Sequence, residues 1–152
     1  MPYTSACKVA LEFSTRFWEH YPMPIFGGCS TTTDIPGIGT ICYPSYNLNS
    51  TGPASILASY ISTGEWGTRW LSATEVEHVR YVLDAMVEIH GEETRALYTG
   101  KYNRRCWILD PYESASWASP RAGQHSLYLP EFFKTYDNVS TPRPWTHRRR
   151  RD

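Results

Sequence analysis

The sequence Ser-Ala-Thr-Glu-Val-Glu-His-Val-Arg-Tyr-Val-Leu-Asp-Ala-Met-Val-Glu-Ile-His-Gly, residues 72–91, decides the fold because it carries the clearest helical period in the chain. It predicts a helix over residues 73–90 that begins at a capping box, Ser72 to Glu75, and ends at Gly91. An apolar stripe recurs at three- and four-residue steps and consists of Val76, Val79, Leu83, Met86 and His90. Most charged residues lie off this stripe. They are interpreted as a solvated face rather than as catalytic carboxylates, and His78 and His90 are likewise assigned no catalytic role.

Short runs around this helix have the character of β-strands, near residues 6–13, 26–32, 40–43, 54–61 and 102–109. They show no regular βαβ rhythm, so the sequence predicts an α+β fold in which the helix packs across one face of a mixed or antiparallel sheet. Other local patterns predict a turn over residues 64–67, a short helix over 92–98 and one or two helical turns over 129–136.

The first strand carries an unusual lysine. Alternation directs Val9, Leu11 and Phe13 to one side, whereas Lys8 and Glu12 point to the other. If both faces of the strand are covered, desolvation disfavours the charge on Lys8 unless Glu12 or a ligand compensates it. From this pattern alone an exposed lysine is the favoured interpretation.

Residues 104–124 contain the second unusual pattern. The apolar run from Cys106 to Leu109 predicts a buried strand, and Asp110-Pro111 then predicts an extended turn. After the turn, small residues flank Trp117 and would let a flat molecule approach the backbone; they are Ser114, Ala115 and Ser116. Either this segment is one wall of a ligand pocket or Trp117 is an ordinary core residue. The residues alone favour the core.

Composition limits the classes of protein. The chain has 152 residues with 41% hydrophobic content, enough for one folded domain. Six Trp, eleven Tyr and five Phe suit a flat ligand, an interface or a sugar-binding face equally well. No apolar run is long enough to span a membrane, and residues 1–5 have no signal-peptide character, so a cytoplasmic or other intracellular location is expected. The glycosylation acceptor Asn49-Ser50-Thr51 is discounted for the same reason.

The four cysteines are widely spaced, without a Cys-x-x-Cys pair or a Cys/His cluster, and predict no metal site. Apolar neighbours favour buried thiols in a reducing compartment over disulfides at Cys7, Cys42 and Cys106.

The C-terminal residues differ in charge and composition from the rest of the chain. Residues 1–142 hold ten Lys/Arg against fourteen Asp/Glu, a net charge of −4, whereas residues 143–152 hold five Arg and one Asp, a net charge of +4. Prolines, the lack of an apolar period and a four-arginine run predict a folded region over 1–138 and a disordered tail over 139–152. Such a run can bind nucleic acid. An arginine-rich tail on an otherwise acidic chain more often does not bind nucleic acid.

Six segments, in order along the chain, carry a family resemblance: Lys8-Val9-x-Leu11 with Phe17-Trp18, Gly27-Gly28-x-Ser30-Thr31-Thr32-x-Asp34, Tyr43-Pro44, Leu57-Ala58-Ser59-Tyr60, Trp107-x-x-Asp110-Pro111-Tyr112 and Ala115-x-Trp117. In this order they resemble the substrate-domain region of flavin-dependent amine oxidases, and most of all the L-amino-acid oxidases, fungal ones in particular. The resemblance covers about residues 3–138.

The resemblance implies FAD as cofactor and oxidative deamination of an amino acid or amine by O₂, with a keto acid or imine, ammonia and hydrogen peroxide as products. It implies that Lys8 is a catalytic and cofactor-contacting residue that holds a water against the flavin, which reverses the expectation from the strand pattern. It implies that Trp117 forms a wall over the substrate facing the flavin, that Tyr60 hydrogen-bonds the substrate carboxylate, with Ser59 as a rival, and that Trp107 packs beneath the pocket.

The chain also departs from the family pattern. It contains no Gly-x-Gly-x-x-Gly, and Gly27-Gly28 fits neither that dinucleotide fingerprint nor a P-loop. The family's second flavin motif is expected just after Asn138, where the Pro/Arg tail stands instead. The sequence therefore predicts an oxidase fragment that is inactive alone and lacks its FAD-binding domain.

Two other functions remain open. A non-catalytic interaction fragment would expose Trp66, Trp70 and Trp117 on surfaces meant for a missing domain, and would dimerise or aggregate. A nucleic-acid-binding protein would depend on the arginine tail alone.

Overall fold

A computed structural model describes residues 3–30, 33–62, 64–113, 115–136 and 139–140. These residues form two compact units, a larger one within residues 4–117 and a smaller one that contains residue 3 and the described residues from 118 to 140. None of the helices in the described part of the chain combines the length and the apolar character needed to cross a bilayer.

The larger unit is built on a four-stranded antiparallel sheet, which gives the chain a mixed α and β architecture compatible with the predicted α+β class. A short strand β1 (Tyr3–Thr4) precedes the sheet. The sheet strands are β2 (Ala6–Phe13), β3 (Thr40–Cys42), β4 (Ala54–Ser62) and β5 (Tyr98–Cys106). Their order in space is β3-β4-β2-β5, so β2 has a neighbour on each side.

Strand β2 alternates as the sequence predicts. Cys7, Val9, Leu11 and Phe13 have no exposed surface, whereas Lys8 on the other face is only partly buried. The side chains of Val9, Leu11 and Phe13 in β2 belong to one hydrophobic core. Buried residues of β4 and of the helices also belong to it, among them Ile56, Ala58, Val82 and Met86. Burying this face against helices drives the fold, because apolar area removed from water stabilises by about 25 cal/mol per Å².

Helix α1 (Gly64–Ser72) occupies the segment predicted to be a turn. That prediction is wrong because Gly64 and Gly67 were interpreted as turn residues, whereas Trp66 and Trp70, four residues apart, lie on one helix face. Their rings are 5.7 Å apart, and the Trp70 indole nitrogen donates a 2.8 Å hydrogen bond to the carbonyl of Gly37. Trp70 is buried and so is not the surface residue expected of an interaction fragment.

Helix α2 (Glu75–His90) begins two residues later than predicted. Its capping box consists of Thr74 and Glu77: the Glu77 backbone N–H donates to Thr74 Oγ1 at 3.2 Å, and the Thr74 N–H donates to Glu77 Oε2 at 2.9 Å. The box predicted at Ser72 to Glu75 is wrong because Ser72 is the last residue of α1. Val76 is 70% exposed, so it does not belong to the buried face.

His78 also departs from the solvated face. It is buried, its ring stacks on Trp70 at 4.1 Å, and its Nδ1 accepts a 3.0 Å hydrogen bond from Arg104 Nε. Burial, together with the Arg104 charge, lowers the pKa of His78 to about 4. The neutral imidazole is therefore the form that the folded chain keeps.

This histidine predicts a pH dependence of stability. Its folded-state pKa of about 4 lies below the ordinary value of 6.5, so the unfolded chain binds the extra proton first and stability falls as pH drops from 6.5 towards 4. The loss amounts to up to about 3 kcal/mol. Urea unfolding at pH 7 and pH 4.5 measures it, and the His78→Gln variant should show a smaller difference between the two pH values. An unchanged difference would contradict this assignment.

Two predicted strands differ from the structure. Of the predicted strand over 26–32, the described residues 26–30 contribute only an isolated bridge, Cys29 to Cys42, because Gly27 and Gly28 take φ values of 70° and 80°, outside the strand region. Residues 31–32 lie outside the described residues.

The strand predicted over residues 102–109 runs instead over β5 and ends at Cys106. Trp107–Leu109 form a 3-10 turn closed by a 3.0 Å hydrogen bond from the Asp110 N–H to the Trp107 carbonyl. Leu109 is 51% exposed, so the predicted burial of this run is wrong beyond Cys106.

The cysteines are paired. Cys7 is bonded to Cys106 across β2 and β5, and Cys29 is bonded to Cys42. The prediction of free thiols is therefore wrong. Spacing along the chain could not reveal the pairs, since strand register brings together residues 99 positions apart.

Short helices and strands complete the chain. The short helix predicted over 92–98 is α3 (Glu93–Leu97). Beyond it lie β6 (Trp117–Ala118), α4 (Gln124–Tyr128), a 3-10 turn (Glu131–Phe133), and a hairpin of β7 (Thr135–Tyr136) and β8 (Val139–Ser140). The predicted disordered tail begins within this hairpin, and residues 141–152 lie outside the described residues.

Candidate active site

A cleft of about 240 Å³ at the outer face of β2 brings together the four residues singled out in the sequence. Lys8, Tyr60, Trp107 and Trp117 all line it, along with Ala6 and Ser116. They come from β2, β4 and the segment after β5, so the cleft exists only in the folded chain.

Antiparallel register places Lys8 in the cleft. Lys8 lies opposite Tyr60 on β4 and opposite Arg105 on β5. Because alternate residues point to opposite faces of a strand, burial of Cys7 and Val9 directs Lys8 away from the core.

The Lys8 ammonium group is held by aromatic rings. Its Nζ lies 4.7 Å from the centre of the Tyr60 ring and 5.2 Å from that of Trp107, distances typical of cation–π contacts. Glu12, the carboxylate expected to compensate it, is instead paired with Lys101 at 3.1 Å. Across the described residues, no carboxylate lies within ion-pair distance of Lys8. Among the described residues, the ring faces of Tyr60 and Trp107 are therefore the groups that stabilise its charge.

The structure separates Tyr60 from its rival Ser59. Tyr60 lines the cleft, whereas Ser59 is buried on the opposite face and its hydroxyl donates a 2.8 Å hydrogen bond to the Ile38 carbonyl. Of these two residues, only Tyr60 can present its side chain to a molecule in the cleft.

Trp107 is positioned from both sides. The disulfide Cys7–Cys106 fixes the residue before it to β2, next to Lys8. After it, Asp110 forms an ion pair with Arg105 and accepts a 2.9 Å hydrogen bond from the Tyr112 N–H. The Asp110-Pro111 turn is thus present as predicted, with Asp110 in an extended conformation.

Trp117 forms the outer wall of the cleft and is 40% exposed, so it is not the core residue that its pattern favoured. The Ser116 N–H donates a 2.9 Å hydrogen bond to the Thr4 carbonyl, and Thr4 Oγ1 donates to the Trp117 carbonyl at 3.3 Å. These bonds hold the Trp117 backbone beside the start of β2.

Ser116 also lines the cleft; the sequence singled it out only as a small residue beside Trp117 and gave its hydroxyl no role. Its Oγ is buried and has no hydrogen-bond partner among the described residues. Buried hydroxyls are rarely left unpaired, because the missing hydrogen bond costs about 1–3 kcal/mol. In the sequence, its small size beside Trp117 was the feature that indicated this position.

A second, larger cleft of about 400 Å³ is lined by the aromatic residues of α1 and α2, Trp66, Trp70 and Tyr81, and by Arg69, whose guanidinium lies 4.6 Å from the Trp66 ring. None of the four predicted site residues lines it.

Comparison with known proteins identifies the family. The profile of the family described as flavin containing amine oxidoreductase matches residues 1–141. The chain belongs to this family. It is 72% identical over 141 residues to an L-amino-acid oxidase of Neurospora crassa, covering 91% of this chain and 20% of that protein. An L-amino-acid oxidase of Siganus canaliculatus is 34% identical over 137 residues, covering 90% and 25%. A putative L-amino-acid oxidase of Bacillus subtilis is 34% identical over 128 residues, covering 84% and 26%. The chain thus spans only a fifth to a quarter of these relatives.

Membership of the flavin containing amine oxidoreductases implies a flavin cofactor, and the cleft fits one edge of such a ring. It offers flat indole faces and one ammonium group at Lys8. Apolar walls with a few convergent polar groups are typical of cofactor sites.

Proposed function

We propose that residues 1–138 form the substrate-side wall of an FAD-dependent L-amino-acid oxidase. The observation that carries this proposal is the convergence of Lys8, Tyr60, Trp107 and Trp117 on one cleft. The similarity to L-amino-acid oxidases from a fungus and a fish supports the substrate class.

The reaction proposed for the whole protein is oxidative deamination. Bound FAD would supply the acceptor for the hydride of the substrate α-carbon and the route of its electrons to O₂, with hydrogen peroxide as the product. The imine left behind hydrolyses to a keto acid and ammonia.

Lys8 is the proton-handling residue in this account. Its ammonium group donates hydrogen bonds and holds a water at the face of the cleft that the cofactor would cover. The ring faces of Tyr60 and Trp107 stabilise the cation without neutralising it, and no described carboxylate pairs with its N–H donors.

The other side chains bind and orient. The Tyr60 hydroxyl donates to the substrate carboxylate, and Trp117 closes the cleft over the substrate and excludes water. Trp107 packs beneath the substrate.

A chimera tests the function. The part of this chain that aligns with the Neurospora crassa L-amino-acid oxidase would replace the matching segment of that protein. We expect the chimera to bind FAD and to release hydrogen peroxide with L-amino acids. A folded, FAD-loaded chimera that oxidises no L-amino acid would contradict the proposal.

The chain alone serves as the second arm of that experiment. It contains no Gly-x-Gly-x-x-Gly pattern, the usual cradle for the pyrophosphate of FAD. We expect FAD titration of the chain to show no stoichiometric binding and no peroxide. A yellow, stoichiometric, peroxide-producing chain would contradict this expectation.

An interaction fragment is the second candidate, and exposed apolar side chains favour it. Ile108, Leu109 and Trp117 are each at least 40% exposed, and Tyr112 is 94% exposed, all within ten residues of the larger unit. Light scattering on the chain used for the FAD titration distinguishes the two. A stable dimer without FAD binding would favour this candidate.

A further inference from the structure

The loop between β3 and β4 carries an acceptor sequence for N-linked glycosylation. Asn49-Ser50-Thr51 has the pattern Asn-x-Thr with no proline at the middle position. Asn49 and Thr51 are both exposed, and Asn49 adopts a left-handed φ of 60°, which places it at a tight bend of the loop. A glycosyl acceptor needs an accessible loop of this kind.

A hydrogen bond holds the backbone of this bend, and the side chain of Asn49 takes no part in it. The Asn49 N–H donates a 2.7 Å hydrogen bond to Glu19 Oε2, and Glu19 is a buried residue held by Arg16 at 2.6 Å. The Asn49 carboxamide makes no hydrogen bond to any residue that the structure describes. The carboxamide of Asn49 is therefore exposed on the loop, and no hydrogen bond among the described residues depends on it.

The disulfides indicate the compartment in which such a modification occurs. Cys7–Cys106 and Cys29–Cys42 use all four cysteines of the chain. Disulfides form and persist in the secretory pathway and are rare in the cytosol. The acceptor sequence was discounted on the expectation of an intracellular protein, and the disulfides remove that reason.

The loop also lies at the end of β4 that is remote from the cleft. β4 begins at Ala54, opposite Phe13, and reaches the cleft at Tyr60, opposite Lys8. At about 3.3 Å per residue the two ends are about 20 Å apart. A glycan at Asn49 is therefore compatible with an open cleft.

We propose that Asn49 carries an N-linked glycan and that the chain matures in the oxidising secretory pathway. Asn49 Nδ2 would form a bond to the anomeric carbon of an N-acetylglucosamine on a lipid-pyrophosphate-linked oligosaccharide. The bond from that carbon to the pyrophosphate breaks, the lipid pyrophosphate leaves, and the amide nitrogen loses one proton. This proposal does not depend on the flavin chemistry of the cleft.

The test is glycan mapping of the full chain, directed by a secretory leader in yeast cells. A second acceptor pattern, Asn138-Val139-Ser140, is removed first by Asn138→Gln so that only Asn49 is read. Peptide-N-glycosidase F should remove one glycan and convert Asn49 to aspartate, which peptide mass spectrometry detects. Measuring the total cellular pool makes the result independent of export.

Three variants sharpen the result. Asn49→Gln and Thr51→Ala should each abolish the glycan, because the first removes the acceptor nitrogen and the second the hydroxyl of the pattern. Ser50→Ala is the matched control and should keep it. An unmodified Asn49 in chains whose two disulfides have formed would overturn the proposal, as would a glycan that survives Thr51→Ala.

Discussion

Replacing Lys8 by methionine in the chimera is expected to lower the turnover of L-amino acids by about 100- to 10,000-fold, the usual contribution of a positioned proton-transfer group. Methionine keeps the length and the packing of the side chain but removes its N–H donors. Peroxide release at saturating substrate measures the effect, and the absorbance of bound FAD shows whether the cofactor site has survived.

Lys101→Met is the matched control for this variant. Lys101 lies on the neighbouring strand β5, is exposed and pairs with Glu12 at the surface. Its loss should leave turnover within about twofold, since surface ion pairs contribute about 0–1 kcal/mol. If Lys8→Met keeps FAD and most of its turnover, the catalytic role of Lys8 is wrong.

Glu19→Gln should destabilise the chain by about 3–5 kcal/mol, the cost of leaving one member of a buried ion pair without its partner. Glu19 and Arg16 are both buried, with Arg16 Nη1 and Glu19 Oε1 2.6 Å apart. Arg16 also donates a 2.8 Å hydrogen bond to the Tyr46 carbonyl, so the pair fastens the loop after β3 to the core. Urea unfolding at pH 7 measures the change.

Glu131→Gln provides the comparison. Glu131 forms an equally short contact with Lys134, but both side chains are more than half exposed. Its change in unfolding free energy should stay below about 1 kcal/mol. Equal effects of the two substitutions would show that burial of the Arg16–Glu19 pair does not determine its importance.

Local patterns in the sequence predicted the parts of the fold that depend on neighbours along the chain. The alternation of β2 follows from a period of two, and the Gly91 end of α2 follows from a helix stop signal. The start of α2 was misplaced because Ser72 and Thr74 are both good caps, and only the preceding helix α1 decides between them. Helix α1 itself was not predicted, because Gly64 and Gly67 were interpreted as turn residues.

Long-range contacts could not be predicted in this way. The disulfide Cys7–Cys106 and the pairing of Lys8 with Tyr60 both depend on strand register, which no local pattern reveals. Local patterns drew attention to Lys8 and Trp117, but only the resemblance to a family assigned roles to all four residues of the cleft. The unpaired hydroxyl of Ser116 emerged only from the geometry of the folded chain.

The most direct measurement of the central claim is a crystal structure of the chimera with FAD bound. The account predicts that Lys8 Nζ and the Trp117 indole face the isoalloxazine ring, with at most one water between Lys8 and the ring. An isoalloxazine ring bound elsewhere, with the Lys8 cleft covered by protein or open to bulk solvent, would contradict it.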